Sequence, residues 1–160
     1  MDSSSTYRIV LICHGRSIWS EQDRITGWSD VELSAAGIKD AQLIGEKLKE
    51  AQISFDACFT SVLKRTVQTW NIIADILDQH CIAVRKSWRL NDKHFGSLQG
   101  MERKELIARH GQGDVYTWSN SYETPPPPLS SPQIIESRFK KAYPMSFPLT
   151  EVIKQIAKSE

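Results

Sequence analysis

Tyr7-Arg8-Ile9-Val10-Leu11-Ile12-Cys13 is the run of residues from which the architecture follows. It is apolar almost throughout and rich in β-branched residues, which is typical of a strand covered on both faces. Two shorter runs of similar character, Asp56 to Thr60 and Ile82 to Val84, predict a second and a third strand. The three runs are far enough apart for a helix to connect each pair.

Helical periodicity fills both intervals between these strands. The first helix is expected to begin at an N-cap, Ser34. Apolar residues recur every three or four positions in each interval: Ala41, Ile44, Leu48 and Ala51, then Val67, Trp70, Ala74 and Leu77. A β-α-β-α-β order predicts the α/β class, with a mostly parallel sheet flanked by helices.

The pattern changes after Ser87. A loop is expected over residues 88–100, a short helix from Glu102 to Arg109, and an extended segment at Pro125 to Pro128. A last amphipathic helix carries Leu149, Val152, Ile153, Ile156 and Ala157 on one face. No internal repeat or boundary divides the chain, so residues 1–160 are expected to form a single domain.

Composition excludes several classes of protein. Lys and Arg number 20 and Asp and Glu 19, and this balance gives no electrostatic footprint for nucleic acid. The longest aliphatic run, Ile9 to Ile12, is far shorter than the ~20 residues of a membrane span. The leader is polar and the three cysteines have no metal-binding spacing. A cytoplasmic protein with no membrane partner is therefore expected.

Chemistry is expected at the carboxyl ends of the parallel strands. His14 directly follows the first strand, and Gly15 beside it lets a ligand approach the backbone. Cationic residues stand nearby in the sequence or at the next strand end: Arg16, Arg24, Lys64 and Arg65. Guanidinium groups bind phosphate well, so this pattern favours a phosphate-type ligand. The alternative is a satisfied polar histidine among scattered surface charges.

Several motifs in order resemble a known family. They are Cys13-His14-Gly15-Arg16-Ser17, Asp23-Arg24-Ile25-Thr26-Gly27-Trp28, Phe59-Thr60-Ser61-Val62-Leu63-Lys64-Arg65, Asn91-Asp92-Lys93-His94-Phe95-Gly96 and Ser121-Tyr122-Glu123. The chain resembles the 2,3-bisphosphoglycerate-dependent phosphoglycerate mutases and bisphosphoglycerate mutases of the histidine phosphatase superfamily. The resemblance covers residues 7–128, and more loosely 148–157.

This resemblance implies a three-layer α/β sandwich and phosphoryl transfer through a phosphohistidine. His14 matches the nucleophile, Asp92 occupies the place of the general acid/base, and 2,3-bisphosphoglycerate primes the histidine without a metal. The resemblance also implies a set of substrate-binding residues: Cys13, Arg16, Ser17, Ser20, Arg24, Thr26, Gly27, Arg65, Lys93, Phe95 and Arg103.

The sequence also departs from the family pattern at several positions. Cys13 replaces an arginine, Asp92 a glutamate, and Ser119-Asn120 a pair of arginines. The family also has a second His-Gly motif, whose role is assigned to none of the remaining histidines, His80, His94 and His110. The C-terminal part of the family fold is therefore expected to be missing, leaving Tyr7 to Cys13 with an unpaired edge.

Two functions remain open from the sequence. One is a phosphoglycerate mutase, or its bisphosphoglycerate synthase or phosphatase side activity, with weak turnover. The other is a non-catalytic relative that binds a phosphate ligand, regulates an active mutase, or has no function. The expected ligands are small anions of the phosphoglycerate type. The expected protein partner is a second copy of this chain or a complete mutase.

Overall fold

The computed structural model describes residues 7–128. Within them the elements follow one another as α1 (Ile18–Glu21), α2 (Ala35–Glu50), β1 (Ala57–Thr60), α3 (Lys64–Leu77), β2 (Ala83–Lys86), two 3-10 turns (Trp88–Leu90 and Gly96–Leu98), α4 (Arg103–His110) and α5 (Gln112–Asn120). In this part of the chain no helix is long and apolar enough to cross a bilayer.

The sheet is parallel, and its two strands are joined through α3. β1 and β2 pair in register from Ala57 opposite Ala83 to Thr60 opposite Lys86. Helix α2 packs along α3, and α3 in turn contacts β1. The predicted α/β class, a parallel sheet flanked by helices, is confirmed, as are the second and third strands to within two residues.

The prediction of a strand over Tyr7 to Cys13 is wrong. These residues belong to no strand and pair with neither β1 nor β2. Tyr7, Ile9 and Leu11 are 88%, 83% and 91% exposed. A strand requires hydrogen-bonding partners for its backbone, and within residues 7–128 no neighbouring strand supplies them here.

Helix boundaries follow local signals. The Ser34 hydroxyl accepts a hydrogen bond from the Gly37 amide and begins α2 where predicted. Helix α4 starts at Arg103, one residue after the predicted start, while α5 was not predicted. The predicted helix at 149–157 lies outside the described residues.

A small second core supports the loop after β2. Ile25, Leu98, Leu106 and Val115 are buried together, and Phe95 packs against them. The carbonyl of Pro127 accepts hydrogen bonds from the Ser97 amide (3.0 Å) and hydroxyl (3.2 Å). Pro125 to Pro128 form neither helix nor strand and lie against this loop. The core therefore holds residues 92–98 next to the loop that contains Ile25.

Two glycines allow the segment after His14 to lie directly on α2. A Cβ at Gly15 would overlap the carbonyl of Gly37, and a Cβ at Gly37 would overlap the carbonyl of Arg16. Both neighbours are backbone atoms and cannot rotate away. Backbone contact at this point fixes His14 relative to α2.

We expect Gly37→Ala to lower the free energy of unfolding by about 1–3 kcal/mol or more, because the added methyl group overpacks a backbone contact. Gly113→Ala is the matched control, since Gly113 is helical and a Cβ there meets nothing within 4 Å. The control should be neutral or slightly stabilising. Urea unfolding of the two variants measures the difference, and equal effects would contradict this account.

Candidate functional site

Both ring nitrogens of His14 are hydrogen-bonded. Its Nδ1 lies 2.7 Å from the carbonyl oxygen of Gly15, and its Nε2 lies 3.0 Å from Nε of Arg65. A carbonyl can only accept and a guanidinium can only donate. The hydrogen bonds therefore define the neutral tautomer with the proton on Nδ1 and the lone pair on Nε2.

Further hydrogen bonds hold the side chain of Arg65, the second residue of α3, in its position beside His14. Its side chain is only 1% exposed. Nη1 donates to the carbonyl of Ser29 (3.0 Å) and Nη2 to the carbonyl of Gly27 (2.8 Å). Burying a charge is costly unless it is hydrogen-bonded, and these two carbonyls hold the guanidinium plane against the imidazole. A rigid cation thus lies beside His14 Nε2.

Burial dominates the electrostatics of His14. Desolvation lowers the pKa of His14 below its usual value, and the neighbouring Arg65 charge lowers it further. The Gly15 hydrogen bond and the more distant Asp92 carboxylate act in the opposite direction but do not reverse the shift. At neutral pH the imidazole is therefore uncharged, the form whose Nε2 can act as a nucleophile.

Asp92 approaches the same group from the loop after β2. Its Oδ2 is 4.0 Å from Nη2 of Arg65, and its side chain is about half exposed. Its backbone carbonyl accepts a hydrogen bond from the Trp28 indole N–H at 2.6 Å. The structure therefore brings together four of the predicted residues: His14, Arg65, Asp92 and Gly27.

Several residues that shape this site were missed by the sequence analysis. Thr69 Oγ1 accepts from the Gly15 amide and donates to the Arg65 carbonyl, one helical turn earlier. Gln99 Oε1 accepts from the Trp28 amide at 2.5 Å. The four-residue spacing of Arg65 and Thr69 places them on one helix face, which was a usable signal. No local pattern connects Trp28 with Gln99.

His94 is a second partly buried histidine, in the same loop as Asp92. Its Nδ1 accepts a hydrogen bond from the Gly96 amide (3.0 Å), and its ring meets the Trp28 ring edge-on. Burial lowers the pKa of His94 to about 4. This neutral ring helps to hold the loop that carries Asp92.

Apart from Arg65, the predicted cations do not converge on His14. Arg16 pairs with Asp40, Arg24 with Glu102 and Arg103 with Asp23, while the Lys93 ammonium donates to the carbonyls of Trp118 and Ser121. Exposed ion pairs contribute only ~0–1 kcal/mol each, so an anion could recruit the exposed arginines at small cost. Lys93 is held by two backbone acceptors and is less available.

The other predicted binding residues have varied surroundings. Ser17 and Ser20 form a capping box that starts α1. Phe95 packs in the second core, and the Thr26 hydroxyl donates to the Arg24 carbonyl at 3.4 Å. Cys13 is exposed beside His14. Within residues 7–128 no group of three or more His, Cys, Asp or Glu side chains could hold a metal ion.

Comparison with known proteins places this arrangement in a family. The model of the histidine phosphatase superfamily (branch 1) matches residues 9–144, which include His14, Arg65 and Asp92. The chain belongs to this superfamily. The predicted family is therefore confirmed.

Two of the proteins that this chain resembles in sequence carry the name of a phosphoglycerate mutase. The chain is 41% identical over 150 residues to a 2,3-bisphosphoglycerate-dependent phosphoglycerate mutase of Porphyromonas gingivalis, covering 91% of this chain and 60% of the relative. It is 44% identical over 151 residues to the enzyme of the same name from Bacteroides fragilis, covering 92% and 61%. The chain thus spans about three-fifths of the length of these relatives.

Solved structures agree on the fold. A mycobacterial glucosyl-3-phosphoglycerate phosphatase in complex with VO3 matches with a TM-score of 0.61 and 26% identity, covering 71% of this chain and 51% of the phosphatase. YhfR of Bacillus stearothermophilus matches with a TM-score of 0.57 and 25% identity, covering 66% and 49%. Both show a likeness to about half of a longer chain.

The depressed pKa of His94 predicts a pH-dependent stability. Between about pH 6.5 and 4 the unfolded chain binds a proton at this residue that the folded chain does not, so stability is lost as the pH falls through that window. We expect His94 to contribute a loss of about 2 kcal/mol between pH 7 and 5. Urea unfolding at both pH values should show a smaller difference for His94→Gln than for the unmodified chain. An unchanged difference would contradict the assignment.

Proposed function

We propose that this chain is a phosphoglycerate mutase homologue in which His14 accepts a phosphoryl group. The observation that carries the proposal is the contact of 3.0 Å between His14 Nε2 and the buried guanidinium of Arg65. The nucleophile is neutral and oriented by Gly15, and a fixed cation lies beside the atom that would bind phosphorus. The names of the relatives at 41–44% identity support the same activity.

The proposed step follows from the tautomer. The Nε2 lone pair attacks phosphorus, and the bond from phosphorus to the leaving oxygen breaks. The Arg65 Nε–H, which remains on the guanidinium, then donates its hydrogen bond to a phosphoryl oxygen instead of to the imidazole. Asp92, as the general acid, gives a proton to the leaving oxygen. In the return step a substrate hydroxyl attacks the phosphohistidine and the Asp92 carboxylate takes up its proton. The neutral His14 is restored.

The residues at the site suit one phosphoryl group of the proposed priming donor. When bound, 2,3-bisphosphoglycerate would supply the phosphoryl group that charges His14. Arg65 would hold that group and Gly27 would shape its surroundings. Charge for a second anionic group would have to come from Arg16 or Arg24, both now paired with carboxylates. We propose that Cys13, Ser17, Ser20, Thr26, Lys93, Phe95 and Arg103 surround the ligand as the family resemblance implies.

A second candidate is a non-catalytic phosphate binder or a partner of a complete mutase, in the cytoplasm. Two observations favour it: the predicted cations other than Arg65 are engaged elsewhere, and Cys13 stands where the family has a guanidinium next to the histidine. The same buried Arg65 would then bind an oxyanion without turnover. Labelling of His14 separates the two candidates.

We expect 2,3-bisphosphoglycerate to phosphorylate the purified chain on His14, giving an acid-labile label visible as a mass shift of the intact protein. His14→Ala should remove the label because the nucleophile is lost. His80→Ala is the matched control, since His80 is exposed and pairs with Asp75 near the end of α3, and it should retain the label. Label that persists in His14→Ala would rule out the assignment.

Mutase turnover is expected to be weak, at least tenfold below that of a complete relative, because several phosphate-binding groups are absent or paired. A displaced acid/base group also costs rate: Asp92 is one methylene shorter than glutamate, and a shift of about 1 Å can cost roughly a hundredfold. A coupled assay of 3- to 2-phosphoglycerate conversion measures this. Turnover within tenfold of a complete relative would refute the expectation.

Cys13→Arg should raise the extent of His14 labelling severalfold if ligand charge is limiting, because it adds a guanidinium next to the nucleophile. The side chain is exposed, so the larger residue can be accommodated. Cys81→Arg, at another exposed cysteine after α3, controls for the change in net charge. Equal labelling in both variants would show that charge at residue 13 does not limit the reaction.

A further inference from the structure

An open apolar groove lies between the segment before His14 and the sheet. Its volume is about 460 Å³, and it is lined mainly by aliphatic and aromatic side chains, among them Ile9, Leu11, Phe59, Trp70 and Ile73. His14 borders one end, but Arg65 and Asp92 are not among the lining residues. The groove therefore adjoins the proposed phosphoryl site at His14 but does not include Arg65 or Asp92.

The walls of this groove are unusually exposed for apolar side chains. Ile9 is 83%, Leu11 91% and Phe59 64% exposed. Soluble monomers seldom leave a contiguous apolar surface open unless something covers it. Since an apolar cavity of ~150 Å³ already holds a benzene molecule, this groove has room for several aliphatic side chains.

We propose that residues 149–157 of this chain pack into the groove as an amphipathic helix. The sequence places Leu149, Val152, Ile153, Ile156 and Ala157 at helical spacing on one face. Glu151, Lys154 and Lys158 fall on the other side, where they would remain in water. An apolar stripe of this kind gains stability only by covering another apolar surface.

The connection to this segment is long enough and starts from a fixed point. Ser97 anchors the Pro127 carbonyl with two hydrogen bonds. The 20 residues between Pro128 and Leu149 can span up to ~70 Å when extended, whereas a domain of this size has a radius of gyration of ~14 Å. Attachment to the same chain gives a high effective concentration, which favours this segment over a second copy.

A double-mutant cycle in the full chain tests the proposal: Leu11→Ser, Ile153→Ser and the two combined. Each single change should lower Tm by about 5 °C, because each removes apolar area from one interface. The combined variant should lose clearly less than the sum, since the two residues share that interface. Leu43→Ser is the matched control: this leucine is 52% exposed on α2 and should shift Tm by less than about 2 °C.

Each alternative has a distinct outcome that overturns the proposal. If Leu11→Ser or Ile153→Ser is as silent as Leu43→Ser, or if their effects add in full, the two segments do not meet. A Tm that rises with protein concentration, with a dimer in light scattering, would assign the groove to a second copy. If Leu11→Ser fails to fold, Leu11→Ala takes its place in the cycle. Amide hydrogen exchange of residues 7–13 should also quicken in Ile153→Ser, and unchanged exchange would contradict the contact.

Discussion

The hydrogen bond from Arg65 to His14 is the interaction on which the rest of the site depends. It joins the start of α3 to the segment that precedes α1, and it settles which imidazole nitrogen carries the proton. The guanidinium can hold this position because two carbonyls, of Gly27 and Ser29, take up its other donors. Loss of either carbonyl contact would leave buried donors unsatisfied and release the nucleophile from its fixed tautomer. The buried Arg65 guanidinium therefore both links these parts of the fold and orients the His14 imidazole.

Asp92, the proposed acid/base residue, is positioned by longer-range contacts. Asp92 is held through its backbone by Trp28, whose amide is held in turn by Gln99. Beneath this loop lies the small core around Leu98 and Leu106, which is separate from the packing of α2 on α3. The proposed nucleophile, His14, and the proposed acid/base residue, Asp92, are thus held by two different parts of the fold that meet at Arg65. A disturbance of the second core would move Asp92 while leaving His14 and Arg65 in place.

Much of the fold could be predicted from the sequence because its signals are local. Helix α2 has a serine cap and a regular apolar stripe, and β1 and β2 each begin with a short run of apolar residues. The segment from Tyr7 to Cys13 has the strongest strand pattern of all, yet strand formation depends on a neighbour that local sequence cannot supply. At the site, Arg65 follows from its place just after β1, whereas His14 was expected at the end of a strand that the structure does not contain. The pairing of Arg16 with Asp40 or of Arg24 with Glu102 depends on residues 24 and 78 positions away, so no nearby pattern reports it.

The contact of Gly15 with Gly37 restricts how this sequence can evolve. A side chain at either position meets a backbone carbonyl rather than a group that a second substitution could trim. Replacing the two glycines by larger residues one at a time therefore passes through a destabilised protein, whichever glycine changes first. The Gly15 carbonyl also sets the tautomer of His14. Substitution of Gly37, in helix α2, is therefore limited by the need to keep Gly15 and the His14 imidazole in place.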